Sequence, residues 1–319
     1  MKLPLFVIPL FSASYYPPET THSSPRPLVL WHGLGDSYSS PGMVQFASTI
    51  QDIYPGIFIH SIYIDELEDN DRKAGFYGNV NAQIELVSNQ LRDIPELAGG
   101  FDAIGFSQGG QFLRAYVEQY NDPPVNNLIT FGSQHMGISD IPICSAWDLL
   151  CQVARRATKS AVYSSWAQEN LVQAQYFRDP NNLQTYLSAN HFLTSINNEL
   201  PPDVQPRNQT YAHNLASLNS LVLVMFLQDK TVVPKESSWF ASEAPPDGMG
   251  PEQDVLSFSR GKNIIPMKLQ PLYQEDWIGL RTLDEQGAVV LATCGGEHMQ
   301  VDRACWEPLV KEFVGELID

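Results

Sequence analysis

The sequence predicts an α/β protein with a mostly parallel sheet and helices on both faces. Short, β-rich apolar runs recur along the chain, and helix-length stretches separate them. Continuous apolar runs of this kind suit strands that are buried on both faces. The runs are PLVLWHG (27–33), FDAIGFS (101–107), NNLITFGSQ (126–134), LVLVMFLQD (221–229) and GAVVLATCGG (287–296).

The stretches between the strands carry the periodicity of helices, with apolar residues three and four positions apart. One face is formed by Val80, Ile84, Val87 and Leu91 in the first stretch and by Phe112, Leu113, Tyr116 and Val117 in the second. The region from about residue 141 to 219 breaks the alternation and is richer in Tyr, Gln and Asn. It predicts a helical insertion between two sheet strands, large enough to form a lid or a substrate wall.

Composition bounds the class of protein. The chain has 319 residues, of which 43% are hydrophobic, and a formal net charge of −17. That length and apolar content provide a large core. So acidic a surface repels phosphate backbones, which excludes nucleic acid as a partner. After the first residues no stretch approaches the ~20 apolar residues of a membrane span.

The first 26 residues differ from the rest. Lys2, the apolar run 3–11 and the small residues 12–14 match a signal peptide over 1–14, although two prolines interrupt the run. The alternative is a disordered or core-packed tail. Residues 15–26 read as a linker, and 27–319 as the folded domain. A signal peptide predicts the secretory pathway, ending in a lysosome, a vacuole or the medium.

The four cysteines form two close-spaced pairs without a zinc-binding pattern. In a secreted protein the spacing predicts the disulfides Cys144–Cys151 and Cys294–Cys305, whereas in a cytosolic protein all four would be reduced thiols. Asn208 begins the triplet Asn-Gln-Thr, a candidate glycosylation site that chance also supplies. No pattern predicts a metal or a cofactor.

Ser107 is the candidate nucleophile. It is the centre of Gly-Phe-Ser-Gln-Gly, between a predicted buried strand and a predicted helix. In that setting the glycines permit a tight turn that lifts the hydroxyl above the sheet edge, and the helix start favours negative charge nearby. Without that setting, Ser107 would be an ordinary turn residue.

A serine nucleophile needs a base, an acid that orients the base and an oxyanion hole. His298 follows the last predicted strand, whereas the rival His135 leaves no room after Ser107 for a strand-borne acid. Asp229 ends the most apolar run, and its rivals are Glu236 and Asp254 in loops. The oxyanion donors are the backbone N–H groups of Gln108 and of Leu34, in the Gly-containing loop after the first strand.

Together these residues resemble the palmitoyl-protein thioesterases, which are α/β-hydrolases of the lysosome. The resemblance rests on LVLWHGLGDS, NVNAQIELV, GFSQGGQFLRA, FGSQHMGI, LVQAQYFRDP, FLQDKTVVP and LATCGGEHMQ, in order along the chain. It implies an α/β-hydrolase fold and places Ser107, Asp229 and His298 on the family's triad. It also implies a disulfide near Cys144 and Cys151, whereas Cys294–Cys305 rests on spacing alone.

The resemblance implies cleavage of palmitoyl thioesters from S-acylated proteins, with the fatty acyl chain held by the helical insertion. The chain is further predicted to act as a monomer without cofactors. The triad alone does not separate thioesters from oxygen esters, so a secreted lipase or carboxylesterase is the rival enzyme. The alternative function without catalysis is that of an acyl-chain carrier with a hydrolase fold.

Overall fold

A computed structural model of the protein describes residues 24–140, 161–246, 256–259 and 262–318. The strands, in chain order, are β1 (Ser24–Pro25), β2 (Leu28–Trp31), β3 (Ile59–Ser61), β4 (Phe101–Phe106), β5 (Val125–Phe131), β6 (Ser220–Phe226), β7 (Ser242–Glu243), β8 (Leu256–Ser259), β9 (Lys262–Ile265), β10 (Val289–Cys294) and β11 (Leu317–Ile318).

The α-helices, in chain order, are α1 (Pro41–Ile53), α2 (Glu68–Ala74), α3 (Val80–Arg92), α4 (Gln108–Gln119), α5 (Ser165–Asn170), α6 (Val172–Gln175), α7 (Leu183–Ala189), α8 (Leu193–Ile196), α9 (Gln209–Ala216), α10 (Pro271–Gln274), α11 (Leu280–Glu285) and α12 (Arg303–Phe313). Short 3₁₀ helices cover Pro95–Leu97, Lys235–Trp239 and Met267–Leu269. None of these helices is long and apolar enough to cross a membrane.

Six strands form one parallel sheet in the order β10-β6-β5-β4-β2-β3. The predicted apolar runs supply all of them except β3, so the predicted parallel sheet is confirmed. The sequence did not reveal β3, because its three residues are only partly buried at the edge of the sheet. Two small antiparallel sheets, β1-β11 and β7-β9-β8, complete the described strands.

Helices cover both faces of the sheet. Successive side chains of a strand point to opposite faces. In β2, Leu28 and Leu30 pack with α1 and α12, whereas Val29 and Trp31 pack on the other side with α3, α4 and α9. The resulting two hydrophobic cores confirm the predicted layering.

The two predicted helices differ in how they are covered. The predicted face of α3 is buried, and its N-terminus is capped by the Asn79 side chain, which accepts from the Ala82 N–H at 3.1 Å. In contrast, α4 is buried from Gln108 to Glu118, not only on its predicted apolar face. The reason is that α3 and α9 pack against it as well as the sheet.

Between β5 and β6 the described part of the chain forms α5 to α9, as expected for a helical insertion. Two isolated bridges join this region to the rest of the fold, at Tyr77–Leu171 and Ile138–Phe177. Its contacts therefore reach the segment just after α2 and the segment that follows β5.

A fully buried pair of ionisable side chains, Arg114 and Glu118, lies within α4. Arg114 Nη1 is 3.4 Å from Glu118 Oε1, and both side chains have no solvent exposure. The guanidinium also donates to the His135 carbonyl at 3.1 Å and to Asn197 Oδ1 at 3.0 Å. Burial raises the pKa of Glu118 to about 8, although the charge of Arg114 lowers it in part. The carboxyl of Glu118 therefore carries a proton in mildly acidic solution.

This pKa shift links stability to pH. Because the Glu118 pKa is higher in the folded chain than its ordinary value of 4.5, the unfolded chain loses the proton first as the pH rises. The free energy of unfolding that Glu118 contributes is therefore complete below its unfolded pKa. It falls as the pH rises through the window from 4.5 to about 8.

We expect Glu118→Gln to remove this pH dependence, because glutamine has a similar shape and does not ionise. Between about pH 5 and pH 8, the free energy of unfolding of the variant should gain about 1 kcal/mol or more relative to wild type. Urea titrations at both pH values measure it. The exposed Glu85 on α3 provides a matched control, since Glu85→Gln should show no such gain. A Glu118→Gln difference that stays constant with pH would contradict the ionisation of Glu118.

Candidate active site

Ser107 lies in the tight turn between β4 and α4. Its backbone has φ of 52° and ψ of −121°, a left-handed conformation that costs a non-glycine residue about 1–3 kcal/mol. The Ser107 N–H donates to the Phe131 carbonyl of the neighbouring strand at 2.8 Å, which anchors the turn to the sheet. The side chain is thereby held at the carboxyl edge of the sheet, directly before the first turn of α4.

Two glycines make this turn possible through close backbone contacts. A Cβ at Gly105 would collide with the backbone of Gly110 in α4. A Cβ at Gly109 would lie 2.5 Å from the carbonyl oxygens of both Trp31 and His32. The glycines of the Gly-x-Ser-x-Gly motif therefore let α4 pack against β4 and against the end of β2.

His298 is within hydrogen-bonding distance of Ser107. Its Nε2 is 3.0 Å from Ser107 Oγ, and its loop follows β10. The Phe226 ring packs edge-on against the imidazole, with ring centroids 6.1 Å apart. Within the loop, the Gln300 side chain accepts from the Glu297 N–H at 2.9 Å. Ring packing and loop hydrogen bonds together hold the imidazole towards the serine.

Asp229 lies three residues after the end of β6 and contacts the other nitrogen of the imidazole. Its Oδ2 is 2.6 Å from His298 Nδ1, and its side chain is fully buried. The other oxygen, Oδ1, accepts from the N–H groups of Thr231 at 2.8 Å and Val232 at 3.0 Å. The carboxylate thus both caps a turn, as many Asp residues do, and faces the histidine.

The rival residues occupy other places. His135 is fully buried, its Nε2 is 3.0 Å from Thr130 Oγ1, and its ring stacks on Phe240 with centroids 4.6 Å apart. Burial, and then the nearby charge of Arg114, lower the pKa of His135 well below its ordinary value. Glu236 is buried in the 3₁₀ helix after Pro234. Asp254 lies outside the described residues.

The loop after β2 lies against the serine. A Cβ at Gly33 would be 3.3 Å from Ser107 Cβ and from the Phe106 carbonyl oxygen, which places the following residue, Leu34, beside the turn. Among the residues that the structure describes, the N–H groups of Leu34 and Gln108 donate no hydrogen bond. Two N–H donors next to the hydroxyl can stabilise the negative charge that develops on an oxyanion.

Further contacts at the site were not foreseen from the sequence. The Gln108 side chain donates to the Gly75 carbonyl at 3.2 Å and accepts from Tyr176 OH at 3.3 Å, which ties α4 to α2 and to the helical insertion. His32, which precedes the Gly33 loop, pairs with Asp71 of α2. No sequence signal distinguishes Asp71 from the other acidic residues of this short, charged helix.

The remaining predicted residues can be placed where the structure describes them. Cys294 and Cys305 are joined by a disulfide, whereas Cys144 and Cys151 lie outside the described residues. The disulfide connects the end of β10 to α12 and closes the loop that carries His298. Asn208 is exposed, and its side chain caps α9 by accepting from the Thr210 N–H at 3.0 Å. Over the described ranges no group of three or more His, Cys, Asp or Glu residues could hold a metal ion.

Comparison with known proteins agrees with the resemblance seen in the sequence. A family model described as palmitoyl protein thioesterase matches residues 27–298. Palmitoyl-protein thioesterase 1 of Caenorhabditis elegans is 38% identical over 279 residues, which are 87% of this chain and 88% of the relative. Palmitoyl-protein thioesterase 3 of Dictyostelium discoideum is 34% identical over 277 residues, or 86% of each chain. A more distant relative, lysosomal thioesterase PPT2 of Homo sapiens, is 26% identical over 297 residues, covering 93% of this chain and 88% of its own. The chain therefore belongs to the palmitoyl protein thioesterase family of hydrolases.

Proposed function

We propose that this protein hydrolyses long-chain fatty acyl thioesters of cysteine through an acyl-enzyme on Ser107. One observation carries the proposal: Ser107, His298 and Asp229 form a continuous chain of contacts of 3.0 and 2.6 Å. The palmitoyl substrate is proposed from the family and from the names of the relatives at 38% and 34% identity.

The first step forms the acyl-enzyme. His298 Nε2 takes the hydroxyl proton as Ser107 Oγ attacks the thioester carbonyl, and Asp229 stabilises the imidazolium. The N–H groups of Leu34 and Gln108 hold the oxyanion of the tetrahedral intermediate. As the intermediate collapses, the C–S bond breaks and the cysteine thiolate leaves. The imidazolium passes its proton to this thiolate, so His298 is neutral again before the second step. Because a thiol has a pKa of about 8.5, it leaves with less help from an acid than an alkoxide needs.

The second step releases the fatty acid. His298 removes a proton from water, which attacks the ester carbonyl of the acyl-enzyme. The Ser107 oxygen leaves and regains a proton from the imidazolium. The same donors hold the second oxyanion, so both steps use one set of residues. The products are a free fatty acid and a protein with its cysteine restored.

The route through the cell is proposed on separate grounds. A distant human relative is named a lysosomal thioesterase, and the Cys294–Cys305 disulfide suits an oxidising compartment. Residues 1–14 would then be a signal peptide, residues 15–26 a linker, and 27–319 the mature hydrolase domain. Asn208 is exposed, as an N-glycosylated residue has to be. We further propose that the protein acts as a monomer on S-acylated proteins.

We expect Ser107→Ala to lose nearly all hydrolysis of an S-palmitoyl peptide and to keep the fold. Among the described residues, His298 is the one hydrogen-bond partner of the hydroxyl, so its removal leaves no other polar group of the described core unpaired. Activity is measured by release of the free thiol, and folding by circular dichroism. Wild-type activity in the folded variant would exclude the acyl-enzyme. A wild-type enzyme that cleaves the matched oxygen ester much faster than the thioester would instead indicate a lipase or carboxylesterase.

Asp229→Asn tests which carboxylate serves His298. The change keeps the size of the side chain but removes the charge that stabilises the imidazolium. We expect kcat to fall at least ~100-fold, whereas Glu236→Gln should cost less than ~10-fold. Both variants are assayed on one acyl thioester, with melting temperatures as the folding control. A larger loss at Glu236 than at Asp229 would mean that the acid is wrongly assigned.

The Cys294–Cys305 disulfide should matter more for activity than for the fold. It closes the loop that carries His298, with a sequence separation of 11 residues. We expect Cys294→Ala/Cys305→Ala to lower the free energy of unfolding by about 2–3 kcal/mol and to lower kcat/KM because the imidazole is held less rigidly. A reductant should lower the activity of wild type more than that of the double variant, in which the predicted Cys144–Cys151 disulfide is still present. Unchanged kcat/KM in the double variant would show that the disulfide does not position His298.

A further inference from the structure

A buried His–Asp pair lies next to the loop that follows β2. His32 Nε2 is 3.0 Å from Asp71 Oδ2, and the two side chains are 3% and 0% exposed. The two atoms are in close contact, but their geometry is not that of a well-aligned hydrogen bond. In the mechanism above neither residue touches the reacting atoms. A buried carboxylate is costly to maintain, so its position beside the active site calls for an explanation.

The Asp71 carboxylate contacts three other parts of the chain, at Ile64, Tyr38 and His32. Its Oδ1 accepts from the Ile64 N–H at 2.7 Å, and its Oδ2 accepts from the Tyr38 N–H at 2.9 Å beside the His32 ring. Burial alone would raise the pKa of Asp71, but the contact with His32 and these two N–H groups lower it below its ordinary value. Asp71 is therefore an ionised anchor in an otherwise charged and mostly exposed α2.

The other nitrogen of the His32 ring contacts the backbone of the loop. Nδ1 donates to the carbonyl oxygen of Gly33 at 3.0 Å, and this oxygen also accepts from the Asp36 N–H at 3.3 Å. Both ring nitrogens therefore face acceptors, a carbonyl and a carboxylate.

The Gly33 carbonyl belongs to the same peptide group as the Leu34 N–H. In a planar trans peptide the C=O and N–H bonds point in opposite directions, so holding one end fixes the direction of the other. A hydrogen bond to the carbonyl also polarises the peptide and strengthens its N–H as a donor. The Leu34 N–H is the proposed second oxyanion donor, next to Ser107.

We propose that His32 and Asp71 are positioning residues, which clamp the Gly33–Leu34 peptide so that the Leu34 N–H points at the oxyanion. The clamp rests on the proposed function, because it acts only through an oxyanion. It assigns the buried pair a role in the transition state and not in substrate binding. Its loss should therefore lower kcat and leave KM nearly unchanged.

Two variants test the clamp. Asp71→Asn removes the anchor charge but keeps the size of the side chain. The double variant His32→Leu/Asp71→Asn removes the carboxylate and also the imidazole that donates to Gly33, so no unpaired charge stays buried. Asp69→Asn is the matched control, because Asp69 is on the same helix but 86% exposed and pairs with Arg72 at the surface. Active sites are counted with a fluorophosphonate, so that kcat refers to folded enzyme only.

Three quantities are measured on an S-palmitoyl peptide and its analogues: kcat, KM, and the inhibition constant of a palmityl trifluoromethyl ketone, which forms an oxyanion on Ser107. We expect both clamp variants to lose about 10–100-fold in kcat and a similar factor in affinity for the ketone. KM should change less than about threefold. Asp69→Asn should match wild type throughout.

Other results would overturn the clamp. If the double variant has wild-type kcat, or if a loss of kcat comes with unchanged affinity for the ketone, the pair does not act through the oxyanion. A loss confined to KM would assign the pair to substrate binding instead. Ser107→Ala separates this failure from failure of the proposed function. If Ser107→Ala is inactive and the clamp variants have the kcat of wild type, the clamp alone is rejected.

Discussion

The turn at Ser107 is the constraint on which the rest of the site depends. Ser107, between a strand and a helix, has a backbone φ of 52°, which is unfavourable for a residue other than glycine. It persists because β4 and nearly all of α4 are buried, so that unwinding the turn would expose both elements. Gly105 and Gly109 permit this packing, because a side chain at either position would collide with neighbouring backbone. The strain in the turn is thus compensated by the core of the domain.

The parallel sheet brings the other parts of the site to the same place. The carboxyl ends of parallel strands meet at one edge, where ligands of open α/β sheets bind. Ser107 follows β4, Asp229 follows β6, His298 follows β10 and Gly33 follows β2. Residues that are 69 and 191 positions apart in sequence therefore come within hydrogen-bonding distance. The buried pair of His32 and Asp71 connects this cluster to α2, next to the loop that carries Leu34.

Much of the fold and of the site could be predicted from the sequence, because both follow from local patterns. Buried parallel strands are continuous apolar runs, and a polar residue directly after such a run is at the carboxyl edge. That reasoning selected Ser107, Asp229 and His298, which the structure brings together. It failed for β3, where His60 and Ser61 interrupt the apolar residues on either side, and for the uniform burial of α4, which depends on other helices.

The side-chain contacts between distant loops had no local signature. Asp71 is one acidic residue in a helix of charged residues, and only the folded chain shows that it is buried against His32. In the same way His135 follows a strand as a catalytic histidine would, but the structure encloses it in the core between Thr130 and Phe240. Burial of a polar residue is decided by packing, which a single sequence does not reveal.

The most direct test of the account is to trap the covalent intermediate. Wild-type enzyme is mixed with an S-palmitoyl peptide and quenched in acid during turnover, and the protein is digested and analysed by mass spectrometry. The account predicts one palmitoyl ester, on the peptide that contains Ser107. Steady turnover with no acylated enzyme in the quenched samples, or with the acyl group on another residue, would contradict it.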